Sequence, residues 1–276
     1  MYYLYVIGKI FCLSVPRKIA YCAASLLATC QYYLSKKDRA IVIDNLSPIV
    51  KGKKKREQCA KKVFINFAYY LVDFFRYSKL NENFIKKYVR ISGLSYLEEA
   101  ISQKKGVMAV TAHLGNYELA GAVTSLIGYK VNAVALSHKD KRINNFFNKQ
   151  RKMVGINVIP ASVGIKKCFS LLEGGQLVAF LGDRVFSGNG VPANMFSHKA
   201  LLPRGPAFFS LKTKVSVLPA FFVRENKNFY HLIFEKPINP KILSAEDDIV
   251  REYSKVLEKY ISLYPDQWYM FQPYWL

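Results

Sequence analysis

The sequence is poor in acidic residues, with 19 Asp and Glu against 41 Lys and Arg in 276 positions, a formal net charge of +22. That balance argues against an enzyme of small neutral metabolites and for anionic partners: nucleic acid, an anionic membrane surface or an acidic carrier protein. The five cysteines (Cys12, Cys22, Cys30, Cys59, Cys168) form no CxxC pair and none stands near a His at zinc spacing. A disulfide framework and a zinc centre are therefore not expected, a reduced compartment is, and no metal or cofactor is implied. Long apolar runs are absent too. The first, Leu4 to Val15, is followed by Pro16-Arg17-Lys18 and a second from Ile19 to Leu34, and neither reaches the roughly 18–20 residues of a bilayer span. With no charged segment ahead of it and no small-residue cleavage site behind it, the first run is a poor signal peptide. The pair predicts a helical hairpin lying in, or shallowly inserted into, a membrane surface, with Tyr2, Tyr3, Tyr5, Tyr32 and Tyr33 as interface anchors. Cys12, Cys22 and Cys30 read as small buried hydrophobes within it. Internal repeats, low-complexity blocks and Gly/Ser linkers are also missing, which argues for one main domain over 36–276 behind a membrane-associating segment over 1–35.

What is present is rhythm. Lys53-Lys54-Lys55-Arg56 taken alone would pass for a nucleic-acid patch. It opens a helical pattern in which Val63, Phe67, Tyr70, Leu71, Phe74 and Phe75 recur, so it reads as a solvated helix entrance. No nucleic-acid motif accompanies it, and no nucleic-acid partner is expected. From Gly106 onward, β-rich runs at 107–111, 131–136, 157–160, 177–181, 215–221 and 229–234 alternate with helical stretches at 116–127, 142–154, 164–173 and 205–212, and a helix over 246–264 follows. The alternation predicts an α/β fold: a central, mostly parallel sheet with helices on both faces, preceded by the N-terminal apolar helical segment.

The sharpest local feature is Thr111-Ala-His113-Leu-Gly115-Asn116-Tyr-Glu118, an apolar strand running into a His, a Gly and a helix. In an open α/β sheet reactive groups gather at the carboxyl ends of strands, which is where His113 falls. On an uninterrupted helix, residues five apart point about 140° away from each other, so His113 and Glu118 need a break at Gly115 to meet. With that break the carboxylate reaches one ring nitrogen and leaves the other to act as a base. Such a His/Glu pair lacks only a nucleophile, which an acceptor hydroxyl attacking a thioester would supply. The spacing alone arises by chance in about one chain in four with four histidines.

Ordered blocks add weight. Arg39 with Asn45-Leu46, the His113-Leu-Gly-Asn-Tyr-Glu118 stretch, Arg151 with Gly155, Gly182-Asp183-Arg184, and Met195-Phe196-Ser197 through Ala200, Pro203 and Gly205-Pro206-Ala207 stand in this order. In them the sequence resembles the lysophospholipid-acyltransferase superfamily and, within it, the late acyltransferases of lipid A biosynthesis. Glu at the second position of the His-x4-Glu motif is similar to the glycolipid branch, whereas the glycerolipid branch typically has Asp. Met195 and Ser197 stand where the family usually has Phe and Gly. The tail from Pro265 to Tyr269 begins as the family's does but lacks the arginines that follow there.

The resemblance implies a glycerolipid-acyltransferase-like fold and transfer of a fatty acyl chain from an acyl carrier protein or coenzyme A thioester to a lipid A precursor or related glycolipid. It implies His113 and Glu118 as the catalytic pair, and Asn116, Arg151, Asp183, Arg184, Arg204 and Gly205 as substrate-binding positions. A glycerophospholipid or mannolipid acceptor is the alternative, and a non-catalytic basic membrane or nucleic-acid binder the distant one. Arginines suit forked binding of phosphate or phosphopantetheine, Asp183 suits an arginine, a sugar hydroxyl or a turn cap, and the helix start at Gly205 suits an oxyanion or phosphate. The place of work implied is the cytoplasmic face of a bacterial inner membrane, with the anionic surface as a partner.

Overall fold

A computed structural model describes residues 1–276 apart from 103–105, 163, 186–189, 227 and 244. Four helices come first: α1 (Tyr2–Ser14), α2 (Arg17–Leu34), α3 (Lys36–Asn45) and α4 (Lys53–Phe75). Pro16 divides the first two, because its extended backbone cannot continue α1 and its fixed φ suits the entrance to α2. After α5 (Glu82–Tyr88), β1 (Val89–Ser92) and α6 (Leu94–Ser102) the strands and helices alternate: β2 (Val107–Thr111), α7 (Tyr117–Leu126), β3 (Val131–Ala135), α8 (Lys141–Met153), β4 (Ile156–Pro160), α9 (Ile165–Glu173) and β5 (Leu177–Leu181). A hairpin, β6 (Gly190–Met195) and β7 (His198–Pro203), precedes α10 (Gly205–Thr213), β8 (Val217–Arg224), β9 (Tyr230–Phe234) and α11 (Glu246–Leu263).

Seven strands form one sheet in the order β1-β9-β8-β2-β5-β3-β4. All neighbours run parallel except the antiparallel β8–β9 pair. The α/β expectation holds, and the physical reason is visible in β2. Met108 and Val110 point to one face, into a core with Val178, Phe221, Val223, Tyr253 and Leu257, while Val107 and Ala109 point to the other, with Leu119, Val123, Leu218, Phe222 and Phe74. A strand covered on both faces must be apolar throughout rather than alternating. The edge strand β1 and the β6–β7 hairpin are additions to the elements read from sequence.

Helices α1 and α2 each bury one side and expose the other. Cys12, Ala20, Tyr21, Ala28 and Tyr32 are buried, whereas Leu4, Ile7, Ile10, Leu26, Leu27 and Leu34 are each at least 60% exposed. Cys22 and Cys30 lie on the exposed side, and only Cys12 of the three is buried as expected, since helical periodicity rather than mean apolarity decides which side faces inward. No helix among the described residues is long and apolar enough to cross a membrane.

Candidate active site

Strands β2 and β5 lie side by side in register, with Thr111 opposite Leu181. Each chain leaves the sheet there, so the residues two places beyond, His113 and Asp183, arrive together at the carboxyl edge. The His113 ring nitrogen Nδ1 stands 2.8 Å from Asp183 Oδ1, and the His113 backbone N–H donates to Asp183 Oδ2 at 2.9 Å. The Trp268 indole N–H donates to the same Oδ2 at 3.1 Å. Asp183 is fully buried and His113 is 7% exposed. Burial alone would raise the Asp183 carboxyl, but the His113 charge and the hydrogen bonds from His113 and Trp268 outweigh it and hold the group below the usual carboxylate range. An ionised carboxylate only accepts, so Nδ1 carries the proton and Nε2 is the basic nitrogen.

The turn that presents His113 is built by Gly115. Its φ of +62° lies in the left-handed region, and a Cβ there would sit 2.1 Å from the Phe222 carbonyl oxygen. The close approach lets the Asn116 N–H donate to that oxygen at 2.7 Å. Residues 267–269 clamp the same turn from the other side: Gly115 N–H donates to the Gln267 carbonyl at 2.9 Å, and Tyr269 N–H to the His113 carbonyl at 2.8 Å. Helix α7 then starts with Asn116 as its N-cap, whose side-chain oxygen accepts from the Leu119 N–H at 3.0 Å.

Glu118 lies in the first turn of α7, as the Gly115 break predicts. Its carboxylate is held by Arg151 in a fork, Nε to Oε2 at 3.0 Å and Nη2 to Oε1 at 2.5 Å, with both side chains about nine-tenths buried. The sequence reading gave Glu118 the task of fixing the His113 tautomer; the carboxylate bonded to Nδ1 in the structure is that of Asp183. Helix spacing could not foresee a partner seventy positions away, just beyond the end of another strand.

The remaining positions divide. Arg184 is half-buried beside Asp183, with its charge in reach of Tyr117. The Tyr117 ring meets the His113 ring edge-on at 5.3 Å, and burial followed by the nearby Glu118 charge pushes its phenol up to about 12. Gly205 opens α10, and the nearest atoms to a Cβ there are those of the Phe180 ring on β5. Arg204 is largely exposed and pairs with Glu246 at the surface. Asn116 spends its side-chain oxygen on the cap and donates from Nδ2 to Asp73 Oδ2 at 3.2 Å. Asn45 clamps the tail by donating to the carbonyls of Met270 at 2.9 Å and Gln272 at 2.7 Å. Sequence reasoning missed Trp268, Tyr117 and Asp73; the block Asp-Gln267-Trp268-Tyr269 was the available signal for the first. Among the described residues no cluster of His, Cys, Asp and Glu could hold a metal ion.

The family model described as bacterial lipid A biosynthesis acyltransferase matches residues 1–276. Phosphatidylinositol mannoside acyltransferase of Mycobacterium tuberculosis (strain ATCC 25618 / H37Rv) is 24% identical over 193 residues, covering 67% of this chain and 60% of that protein. The protein of the same name from Mycolicibacterium smegmatis (strain ATCC 700084 / mc(2)155) is 20% identical over 218 residues, 76% of this chain and 70% of that protein. The chain thus spans about 60% of the length of the tuberculosis relatives it matches.

Proposed function

This chain belongs to the bacterial lipid A biosynthesis acyltransferase family, and from that premise we propose that it transfers a fatty acyl chain from a carrier thioester to a hydroxyl of a glycolipid. The observation that carries the proposal is the His113–Asp183 pair at the carboxyl edge of the sheet. Nε2 of His113 takes the proton of the acceptor hydroxyl as its oxygen attacks the thioester carbonyl. The tetrahedral intermediate collapses with cleavage of the carbon–sulfur bond, and the proton passes from the imidazolium to the departing thiolate. Asp183 stabilises the imidazolium in between and fixes the ring. Glu118 and Arg151 act as one unit that holds the first turn of α7 beside the reacting groups. Arg184, at the same edge, meets a phosphate of the donor's phosphopantetheine arm or of the acceptor in this reading.

The excess of basic charge supports an acidic donor carrier and an anionic bilayer as partners. The exposed apolar sides of α1 and α2 support docking on the cytoplasmic face of the inner membrane without a span. The names of the mycobacterial relatives favour a mannolipid acceptor, and the family description favours a lipid A precursor. The test is incubation of the purified protein with palmitoyl-coenzyme A or palmitoyl-acyl carrier protein and vesicles bearing either acceptor, read by mass spectrometry. A glycolipid heavier by one acyl group with wild type and not with His113→Ala is the expected result. No product with either acceptor or donor carrier refutes the proposal.

A further inference from the structure

Asp73, on α4, is 4% exposed and accepts from four groups on four different elements. Tyr21 of α2 donates its hydroxyl to Oδ1. Oδ2 accepts from the Tyr230 hydroxyl of β9, from Arg224 Nη2 at the end of β8 at 2.8 Å, and from Asn116 Nδ2 at 3.2 Å. The Arg224 guanidinium is also packed against the rings of Tyr230, Tyr21 and Tyr69, with 4.7, 4.9 and 5.1 Å to their centroids. A fully bonded ionic cluster of this kind fixes its members in one arrangement, because any displaced partner leaves charge unmatched in a low-dielectric interior.

Two arms run from this carboxylate to the turn that carries His113. The first is direct, through Asn116, the N-cap of α7. The second passes through Arg224, whose backbone N–H and carbonyl are bonded to the Gln267 side-chain amide at 2.9 and 2.8 Å, while the Gln267 carbonyl accepts from Gly115. A third connection leads away from the turn, through Tyr21, to the helix whose opposite side exposes Ile19, Leu26 and Leu27.

We propose that Asp73 is a positioning residue for the catalytic turn and that, through Tyr21, it makes the orientation of His113 depend on how α2 is seated. The inference rests on the acyl-transfer reading for what His113 does, and on the bonds above for how His113 is held. Tyr21→Phe removes one hydroxyl, which also accepts from Arg224 Nη1 at 3.2 Å, and leaves Arg224 paired with Asp73. Asn116→Ser keeps a helix cap and gives up the reach to Asp73. Both variants avoid the unpartnered Arg224 that Asp73→Asn would leave.

The experiment uses the full chain on vesicles of phosphatidylethanolamine and phosphatidylglycerol that also carry the glycolipid acceptor. The His113 ring resonances are followed in protein labelled with 15N-histidine and assigned with His113→Gln, alongside thiol release from palmitoyl-coenzyme A. Each single variant is expected to move the His113 resonances and to lower kcat about tenfold, with KM within about twofold. The double variant is expected to be no worse than the poorer single, because both act through the Asp73–Arg224 pair. Unmoved His113 resonances in Tyr21→Phe, or a double-variant loss equal to the product of the singles, overturn the proposal. Absence of turnover in wild type counts against the acyl-transfer reading instead, and the ring resonances still decide the role of Asp73.

Discussion

Replacing Asp183 with Asn tests the proposed chemistry with the smallest change in shape. Oδ2 accepts both the His113 backbone N–H and the Trp268 indole N–H. Those two donors keep the amide oxygen of Asn at that place, so its NH2 group takes the place of Oδ1 and faces Nδ1. A donor there forces Nδ1 to accept, the ring proton moves to Nε2, and the nitrogen that served as base is blocked. The lost charge-assisted bond alone costs about 1.5–3 kcal/mol, or roughly one to two decades in rate at about 1.4 kcal/mol each. The inverted tautomer brings the expected loss in kcat to about 10³–10⁴-fold. Steady-state thiol release from palmitoyl-coenzyme A over glycolipid vesicles measures it, with the ring tautomer read by 15N shifts. A variant that keeps a third of the wild-type kcat, or whose Nε2 stays unprotonated, refutes the assignment of Asp183. Stability carries a second signature. The folded-state carboxyl of Asp183 is depressed, so its contribution is complete above the unfolded pKa of about 4 and is lost as pH falls through the lower folded value. Acid unfolding of Asp183→Asn is therefore expected to be less steep below about pH 4.

Glu118→Gln leaves the Arg151 charge buried without its counter-ion, and a stability loss of about 3 kcal/mol in urea unfolding is expected. Adding Arg151→Met should restore most of the stability and none of the activity; a Glu118→Gln protein as stable as wild type contradicts the pairing. Gly115→Ala places a methyl group 2.1 Å from the Phe222 carbonyl oxygen, so a loss of at least about 2–4 kcal/mol and collapse of kcat are expected from calorimetry and turnover. Phe196 and Ser197 both hold positive φ, 51° and 60°, in the two-residue turn of the β6–β7 hairpin. Ser197→Gly should relieve about 0.5–1 kcal/mol and raise the melting temperature by about 1–4 °C, with a lowered melting temperature as the contrary result.

The central strands were legible because burial on both faces leaves a mark in one dimension. Val107 to Thr111 and Leu177 to Leu181 are apolar runs ended by polar residues and glycine. Strand β1 is short, carries an exposed Arg90, and pairs with β9 at the sheet margin, so burial wrote little into it. The β6–β7 hairpin contains Pro192 and Pro203 and a turn without glycine, which removes its usual signals. His113, its turn and the place of Glu118 followed from local rules. The bond to Asp183 did not, since it depends on β5 being the neighbour of β2, and strand order is not written in either segment. Once that adjacency is known, the in-register Thr111–Leu181 pairing places His113 against Asp183 by counting two residues along each chain.

The clamp formed by Gln267, Trp268 and Tyr269 on the His113 turn also sets an order of events in time. During translation α1 and α2 are made before any strand of the sheet. The histidine follows, but Trp268 emerges more than a hundred residues later. On the proposed reading, a half-made polypeptide therefore carries a base that nothing yet aims, and competence for acyl transfer waits until Trp268 has been made.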